Sequence, residues 1–396
     1  MTINALMKEP FMEESARTLL VQLFRDIPDP RMVGKISHKL HDILVITVCA
    51  VICGLEHWTQ IADYGKAHEA WFRTFLDLPN GIPSHDTFGK VLAALDPTAF
   101  EQRIQQWLLA MFDSACRGKH IAIDGKTLRR SFDHASGKAA IHMIHAYVHE
   151  NHAVFAQLKV DDKTNEITAI PSLLEMLELD EATVTIDAMG CQKDIAQKII
   201  DRNGQYVLAL KGNQSALHDD VQTFMDDRIT RGVTRQGDYY ETVEKSHGRI
   251  ETRKCWTCWQ IDWLTRRHAW AGLASIAAVE CTRTVNGKTS TERRYFISSH
   301  PGRQAQKLAA LVRNHWRVEN SLHWTLDVCF NEDQCRVRVA HAAENLARIR
   351  RISLLLLKQE KTCKLGIQSK RAKAAYDRDY LLTVLGFRRD NDAAAT

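Results

Sequence analysis

The sequence predicts a mixed α/β protein, in which a helical N-terminal region precedes a sheet covered by helices and a β-rich segment interrupts the sheet domain. Three observations support this class. Apolar residues recur with helical spacing up to about residue 115. From about residue 120, short apolar runs alternate with helical segments, which is typical of a sheet covered by helices. Between about 215 and 300, strand-like patterns replace that alternation.

Composition indicates a globular protein of several domains. The 396 residues are 45% hydrophobic and 26% charged, and the formal net charge of +5 permits a polyanionic partner without requiring one. The most apolar run, 43–55, has 13 residues, whereas a membrane span needs about 20. The first residues are polar and do not resemble a signal peptide. We therefore expect a cytoplasmic protein with no membrane partner.

Residues 1–115 are predicted to form a helical N-terminal domain. Pro28–Pro30 interrupts the first amphipathic segment, and Pro79–Pro83 marks a loop. Ser84 is placed to cap the helix that follows. Short helices joined by tight turns fit a helix-turn-helix whose recognition helix starts at Ser84–Lys90, and they fit a plain helical bundle equally well. Whether this domain reads DNA stays open.

Residues 116–214 are predicted to form the first part of the sheet domain. The predicted elements are strand 121–124, a hairpin of 140–150 with 153–160, helix 169–179, strand 183–187, helix 192–202 and strand 206–210. Strand, hairpin, helix, strand, helix and strand build a mixed sheet covered by helices. This is the order of elements in a ribonuclease-H-like domain.

The sheet domain is predicted to be interrupted and then completed. Residues 215–300 read as a β-rich insertion in which Asn286–Gly287 forms a hairpin turn. Residues 301–362 return to helical spacing and supply the second part of the domain. Residues 363–396 are predicted to be a basic C-terminal tail.

Two apolar strands of the same design end in an acid, at Asp124 and at Asp187. In a parallel pair of strands, side chains at matching ends lie side by side. Two ionised carboxylates that close repel each other unless a cation lies between them. Ligand sets made of oxygen alone favour Mg²⁺ or Mn²⁺. The sequence therefore predicts a metal site at these two aspartates.

A third carboxylate, Glu319, is expected from a helix further along the chain. The residues that share its helical face are Val312, His315, Trp316, Leu322, His323 and Leu326. That face is mostly apolar, so we predict that it packs on the sheet and carries Glu319 toward the aspartates. Three carboxylates would complete a site for two metal ions, which clamps the attacking and leaving oxygens of a phosphodiester. Asp327, Glu332 and Asp333 are alternative third acids.

Five sequence motifs occur in order along the chain. They are Ile-Asp-Gly-Lys-Thr around Asp124, Thr-Ile-Asp-Ala-Met-Gly around Asp187, Leu-Lys-Gly-Asn-Gln at 210–214, Ser-His-Gly-Arg-Ile-Glu-Thr-Arg at 246–253 and His-Trp-Arg-Val-Glu-Asn-Ser-Leu-His-Trp at 315–324. Each motif alone is weak, whereas five in this order and spacing are specific. Together they resemble the DDE transposases of bacterial insertion sequences, in particular the H-repeat-associated (ISAs-type) group. The likeness extends from the N-terminal helical region to about residue 355.

The resemblance implies a ribonuclease-H-like fold with a β insertion, in which Asp124, Asp187 and Glu319 are the catalytic, metal-binding triad. The implied cofactor is Mg²⁺ (or Mn²⁺), bound as two ions. The implied reaction is cleavage of double-stranded DNA at the ends of an insertion sequence, followed by strand transfer into target DNA. Both steps are in-line displacements at phosphorus. Synapsis of two DNA ends implies a homodimer in the DNA complex.

The chain departs from the signature of the broader superfamily around Glu319. That signature places a Tyr seven residues before the glutamate, an Arg four before it and a Lys seven after it. This chain has Val312, His315 and Leu326 at those positions. A phosphate contact is instead expected from Arg313 or Arg317.

Basic residues are the predicted DNA contacts. Between positions 336 and 378, twelve Lys or Arg residues stand against three acids, and such a local excess favours phosphate binding. The predicted contacts are Lys126, Lys211, Arg249, Arg253, Arg313, Arg317, Arg336, Arg338, Arg348 and Arg351. An ordinary solvent-exposed helix face is the alternative interpretation of the basic residues after position 336.

Two alternative functions remain compatible with the sequence. The first is a ribonuclease-H-like nuclease or resolvase that cuts nucleic acid without joining strands. The second is a degenerate element protein that binds DNA and has lost catalysis. Joining of a pre-cut DNA end to a plasmid would distinguish the first, and metal-dependent nicking would distinguish the second.

Overall fold

The structure is a computed structural model, and it describes residues 23–112, 116–132, 137, 139–160, 166–233, 238–246 and 248–386. These residues form two compact units. The first lies within Met1–Asp113, Arg130–Asp133 and Thr325–Thr396, and the second within Ser114–Arg129 and His134–Trp324. Among the described residues, no helix is both long and apolar enough to cross a membrane.

The first unit is helical. Its N-terminal helices are α1 (Leu40–Ile52), α2 (Trp58–Ala67), α3 (Glu69–Phe72), α4 (His85–Ala94) and α5 (Pro97–Met111). Helix α1 is apolar on nearly all sides and buried along its length, so it forms the centre of the unit. The predicted cap is present, because the Ser84 hydroxyl accepts a hydrogen bond from the Thr87 backbone N–H. The helical N-terminal region is thus confirmed, and a DNA-reading role for α4 stays a prediction.

The C-terminal part of the first unit is also helical. It contains most of α10 (Trp324–Cys329) and all of α11 (Ala342–Gln359), α12 (Ile367–Tyr376) and α13 (Arg378–Val384). The segment expected to be a basic tail therefore forms two helices as far as residue 386. Lys370 and Arg371 are buried there, and the Lys370 ammonium group donates to the Leu357 carbonyl. These two charges contact neighbouring helices, and the boundary of the basic segment stays a prediction.

A mixed sheet of nine strands forms the second unit. The strands are β1 (His120–Thr127), β2 (His142–Val148), β3 (Ala153–Val160), β4 (Thr183–Ile186), β5 (Gln205–Leu210), β6 (Tyr239–Ser246), β7 (Arg249–Cys258), β8 (Ser275–Val285) and β9 (Lys288–Ser298). Their order in the sheet is β3-β2-β1-β4-β5-β9-β8-β7-β6. β4 lies parallel to both of its neighbours, and the other pairs are antiparallel. The mixed α/β class is confirmed.

The predicted β-rich insertion extends this sheet. The segment starts with helix α8 (Ser215–Thr230), and its last strand, β9, pairs with β5. The hairpin turn between β8 and β9 is confirmed, with positive φ angles of 50° at Asn286 and 75° at Gly287. The hydrogen-bonded ladder therefore continues from the first part of the domain into the insertion without a break.

The two faces of strands β1 and β4 differ in polarity. Side chains alternate along a strand, so His120 and Asp124 share a face with Thr183 and Thr185, while the isoleucine and valine residues between them point the other way. Helix α6 (Glu166–Glu175) covers the apolar face, since its Ile170 lies close to Ile186 at Gly190. Helix α7 (Lys193–Asp201) packs against α6 and β5. Helix α9 (Ala305–Val318) covers the polar face.

Strand β1 is longer than predicted. The predicted strand, 121–124, ended at Asp124. Instead β1 continues to Thr127, because β2 remains hydrogen-bonded beside it up to the pair Thr127 and His142. Asp124 therefore lies within a strand at the point where its parallel neighbour β4 ends.

Candidate active site

Asp124 and Asp187 are brought together by the register of two parallel strands. The last paired residues of β1 and β4 are Ile123 and Ile186, and the two aspartates follow them directly. Adjacent strands lie about 4.8 Å apart, so the two carboxylates start from neighbouring backbone positions. Both side chains leave the sheet on the face that α9 covers.

The surroundings of Asp124 favour its protonated form. One of its oxygens accepts a hydrogen bond of 2.9 Å from the Gly125 N–H. Its other oxygen lies 3.5 Å from Nδ1 of His323. Burial, followed by the charges of Glu319 and Asp187, raises the pKa of Asp124 from 3.8 to about 7. A cation placed among these carboxylates would remove that repulsion.

Asp187 is held by a tight turn after β4. Its Oδ1 atom accepts hydrogen bonds from the backbone N–H groups of Met189 (3.0 Å) and Gly190 (3.3 Å). A Cβ atom at Gly190 would lie 2.3 Å from Cγ2 of Ile186, so glycine is required for this turn to pack. Burial raises the pKa of Asp187, and the Lys211 ammonium group opposes that shift.

Glu319 starts a widened helical turn. Helix α9 ends at Val318, and Glu319–His323 forms a π-helical turn before α10. Such turns are rare and occur often at functional sites. The charge of Glu319 reaches Asp124, because it contributes to the raised pKa of that group. The three predicted acids thus belong to one electrostatic cluster.

The packing of Glu319 differs from the prediction. Val312, Leu322 and Leu326 of the predicted face are buried, whereas Glu319 and Trp316 are exposed to solvent. A regular α-helix was assumed, and the widened turn places Glu319 at the border between the packed and the open side. Glu319 is therefore an accessible acid and not a buried one.

A fourth acid, Glu166, was missed by the sequence reasoning. Oε1 of Glu166 lies 2.6 Å from Nε2 of His142, and its charge raises the pKa of both Asp124 and Asp187. A Cβ atom at Gly125 would lie 2.3 Å from Oε1 of Glu166, so this carboxylate lies on the sheet face opposite the Asp124 side chain. A single Glu at the start of a helix carries no motif that would reveal this position.

The donor chemistry of the site fits a hard divalent cation. Asp124, Asp187 and Glu319 offer oxygen donors alone, and burial followed by the neighbouring carboxylates raises the pKa of Asp124. The side chains are not drawn together into a finished cage, since the described part of the chain contains no group of three His, Cys, Asp or Glu residues arranged to hold a metal.

The alternative third acids lie in the first unit. Glu332 is buried there and lies 3.8 Å from Arg350. Asp327 and Asp333 belong to the same unit. Glu319 belongs to the second unit, where burial and then its charge help to raise the pKa of Asp124.

Two predicted basic residues lie close to the acids. Lys126 shares a strand face with Asp124 and is 7% exposed. Burial, and after it the charge of Lys126, lowers the pKa of His323, the histidine beside Asp124. Lys211 follows β5, is exposed, and lines a cavity of about 300 Å³ together with Asp187.

Four predicted arginines line one larger cavity beside Glu319. The cavity has a volume of about 700 Å³ and is bounded by α9 and strands β6–β9. Its basic lining residues are Arg249, Arg253, Lys254, Arg283, Arg294, Arg313 and Arg317, against the acids Glu251, Glu292 and Glu319. The charge balance is positive although Glu244 pairs with Arg313 and Glu251 pairs with Arg253. Only the fold revealed Arg283 and Arg294, which occur in no motif.

The remaining predicted DNA contacts lie in the first unit. Arg336 is exposed, and Arg338 is partly buried against Phe132. Arg348 and Arg351 are 2% and 5% exposed, and both form ion pairs of 2.9 Å with the buried Glu101. The prediction that these two arginines contact phosphates is corrected, because they face the interior and are neutralised there.

Two family descriptions match consecutive parts of the chain. Residues 21–108 match the family described as DDE_Tnp_1-associated, and residues 116–356 match the family described as Transposase DDE domain. The H repeat-associated transposase candidate YhhI of Escherichia coli (strain K12) is 42% identical over 365 residues, which are 91% of this chain and 95% of YhhI. The transposase candidate YncI of Escherichia coli O157:H7 is 42% identical over 374 residues, 92% of this chain and 95% of YncI.

A solved structure of the piggyBac transposase synaptic complex with hairpin DNA is also similar. Its TM-score is 0.41 at 10% sequence identity, over 96% of this chain and 82% of that chain. The sequence comparisons, which cover most of the chain at high identity, decide the assignment. This chain belongs to the DDE transposase family.

Proposed function

We propose that the chain is a DNA transposase that cleaves DNA at the ends of an insertion sequence and transfers the cut strand into target DNA. The observation that carries this proposal is the adjacency of Asp124 and Asp187 on parallel strands, with the charge of Glu319 within reach of Asp124. We further propose a ribonuclease-H-like fold for the second unit, supported by the strand order β3-β2-β1-β4-β5. The domain boundaries predicted from the sequence stay part of the proposal.

In this proposal, Asp124, Asp187 and Glu319 hold Mg²⁺ or Mn²⁺, as two ions. Bound divalent cations lower the pKa of water and stabilise charge on a phosphodiester during in-line displacement. The protein supplies the anchoring groups. The Gly125, Met189 and Gly190 N–H groups orient the two aspartates, and the rigid strands keep their backbones adjacent.

DNA is proposed to bind along the basic cavity beside Glu319. Arg317 is exposed there, and Arg313 and Arg253 line the same wall. Phosphates would replace Glu244 and Glu251 as partners of these arginines. Lys126 and Lys211 are proposed to contact the DNA strand that lies nearest the aspartates. A homodimer that holds two DNA ends and a cytoplasmic location complete the proposal.

Charge-neutral variants of the three acids test the catalytic part. Asp124→Asn, Asp187→Asn and Glu319→Gln should each abolish Mn²⁺- or Mg²⁺-dependent nicking of plasmid DNA and leave DNA affinity intact, because no phosphate contact is removed. Asp219→Asn is the matched control, since that side chain is 75% exposed. If all three variants still cleave, the triad is wrong. Cleavage without joining of a pre-cut end would indicate a nuclease.

Salt dependence tests the DNA contact. The logarithm of the DNA-binding constant falls linearly with the logarithm of the salt concentration, and each phosphate contact that is lost should make this slope less negative by about 0.9 for duplex DNA. Arg317→Ala should therefore make the slope less negative by about one unit. Arg267→Ala, on a turn outside the cavity, should not change it. A slope that Arg317→Ala leaves unaltered would remove this residue from the contact surface.

A further inference from the structure

A hydrogen bond joins the strand of Asp187 to the helix of Glu319. Nδ1 of His315, on α9, lies 3.0 Å from Oγ1 of Thr185, on β4. The same hydroxyl lies 2.8 Å from Nε2 of His120, on β1. A threonine hydroxyl donates one hydrogen bond and accepts others, so it serves both imidazoles at once. One buried hydroxyl thus links α9 to both aspartate-bearing strands.

We propose that Thr185 and His315 are positioning residues that set Glu319 against Asp124 and Asp187. The inference rests on the proposed function, because it assigns them a role in that reaction. Neither residue needs to touch the DNA. Their effect is exerted through the backbone of β4 and α9, which carry the acids.

The spacing along both elements supports this role. Thr185 precedes Asp187 by two strand residues, which is about 6.6 Å of rise. His315 precedes Glu319 by four helical residues, which is about 6 Å of rise. The hydrogen bond between Thr185 and His315 therefore lies at nearly the same distance from Asp187 along the chain of β4 as from Glu319 along α9. A shift of the helix at this point is transmitted to Glu319 with little attenuation.

The widened turn makes such an anchor necessary. The π-helical turn begins at Glu319, so the regular hydrogen-bond pattern of α9 does not by itself hold that residue. His315 lies in the last regular turn before it. On the far side of the widened turn, His323 lies 3.5 Å from Asp124. The turn that carries Glu319 is thus held from both ends by histidines that reach the strands.

The charge state of His315 distinguishes this role from a phosphate contact. Burial lowers the pKa of His315 to about 4 and that of His120 to about 3, so both imidazoles are neutral at pH 7. A neutral, partly buried imidazole does not replace the Arg that the superfamily signature has at this position. Where the signature has Arg, this chain has His315, whose hydrogen bond with Thr185 has a structural role.

The same strand offers a matched control. Oγ1 of Thr183 lies 3.0 Å from Nε2 of His300, which precedes α9. Thr183 is 6% exposed and Thr185 is 2% exposed, so the two hydroxyls have similar surroundings. His300 also lies 3.5 Å from the ammonium group of Lys307 on α9, and Lys307 lies about 18 Å of helical rise before Glu319. Loss of this bond should leave Glu319 in place.

The test compares Thr185→Val with Thr183→Val in the full-length protein. Thr185→Val deletes the hydrogen bonds of that hydroxyl with His315 and His120, whereas Thr183→Val deletes the bond with His300. Both replacements keep the side-chain shape, and the His315 variants below isolate the bond to α9. With Mn²⁺ and supercoiled plasmid DNA, Thr185→Val should lower kcat for nicking by about 10- to 100-fold, since misplacing a reacting group by about 1 Å costs up to 100-fold. KM and DNA affinity should not change. Thr183→Val should stay within about threefold of the wild type, because Glu319 keeps its anchor.

Rescue variants keep the test decisive if a replacement impairs folding. Thr185→Ser keeps the hydroxyl and should restore most of kcat. His315→Asn keeps a polar group near the Nδ1 position and should retain more activity than His315→Leu. The double variant Thr185→Val with His315→Leu should be no worse than the poorer single variant, because each single variant already removes the bond between Thr185 and His315. Circular dichroism and thermal unfolding show whether each variant is folded.

The outcomes separate this inference from the proposed function. If Asp124→Asn abolishes nicking but Thr185→Val behaves like Thr183→Val, the positioning role is wrong and the proposed function stands. A loss confined to KM, or an absence of rescue by Thr185→Ser, also overturns the positioning role. If the wild type does not nick DNA, or Asp124→Asn still does, the proposed function fails and this inference fails with it.

Discussion

Replacing Asp124 with asparagine measures how much the negative charge of Asp124 destabilises the folded protein. In the metal-free protein, burial together with the charges of Glu319 and Asp187 raises the pKa of Asp124 from 3.8 to about 7. Between those two pH values the folded protein binds more protons at this site than the unfolded protein does. Stability is therefore lost as the pH rises through this range. Asparagine cannot ionise, so Asp124→Asn should remove that loss.

The expected magnitude follows from the two pKa values. The difference between 3.8 and about 7 corresponds to about 4 kcal/mol at 1.36 kcal/mol per pH unit. Asp124→Asn should thus stabilise the metal-free protein by about 2 kcal/mol at pH 5 and by up to about 4 kcal/mol at pH 8. An active-site replacement that raises stability while it abolishes activity is the expected trade-off.

Urea unfolding in EDTA at pH 5, 6.5 and 8 provides the measurement. Asp219→Asn, at an exposed position, is the control and should show no such trend. Added Mn²⁺ should stabilise the wild type more than Asp124→Asn, because binding to the folded state alone raises its stability. A stability difference that does not grow from pH 5 to pH 8 would refute the argument that Asp124 is held in a repulsive cluster.

Two further predictions concern packing and buried charge. Gly190→Ala should destabilise the protein by about 1–3 kcal/mol, because the new methyl group would lie 2.3 Å from Cγ2 of Ile186. The control Gly366→Ala should be tolerated, since a Cβ atom there would have nothing within 4 Å. Equal urea midpoints for the two variants would contradict this prediction. Glu101→Gln should cost about 3–5 kcal/mol, since it removes the negative charge that the buried Arg348 and Arg351 share at 2.9 Å. The control Glu69→Gln, in an exposed pair with Arg73, should cost at most about 1 kcal/mol, and similar midpoints for both glutamine variants would show that the buried pair is not needed.

Local patterns were sufficient for much of the fold. The predicted strands around Ile123 and Ile186 are present, as are the hairpin of β2 and β3 and the turn at Asn286–Gly287. Each depends on residues close together in the sequence, such as an apolar run or an Asn-Gly pair with positive φ. The length of β1 could not be predicted in this way, because its last residues are strand only through pairing with β2.

Basic residues illustrate where local reasoning ends. Arg317 and Arg348 look alike in the sequence, since both lie in helices with other basic residues nearby. The fold places Arg317 in an open cavity and buries Arg348 against Glu101, which is 247 positions away in the chain. Partners so distant leave no trace in local periodicity, so exposure and pairing had to be read from the structure.

By itself, the sequence determined the strand–acid pattern at Asp124 and Asp187, the family motifs and the helical and β-rich regions, since all of these are encoded over short distances. The tertiary structure alone decided which acids share one electrostatic cluster, that Glu319 begins a widened and accessible turn, and that Thr185 joins His315 to His120. The physical reason is that pKa values, exposure and hydrogen bonds depend on neighbours brought together by folding. The sequence predicted a carboxylate, Asp124, at the point where a strand pairing ends. The position of helix α9, which covers the same face of the sheet, depends on contacts between residues far apart in the sequence.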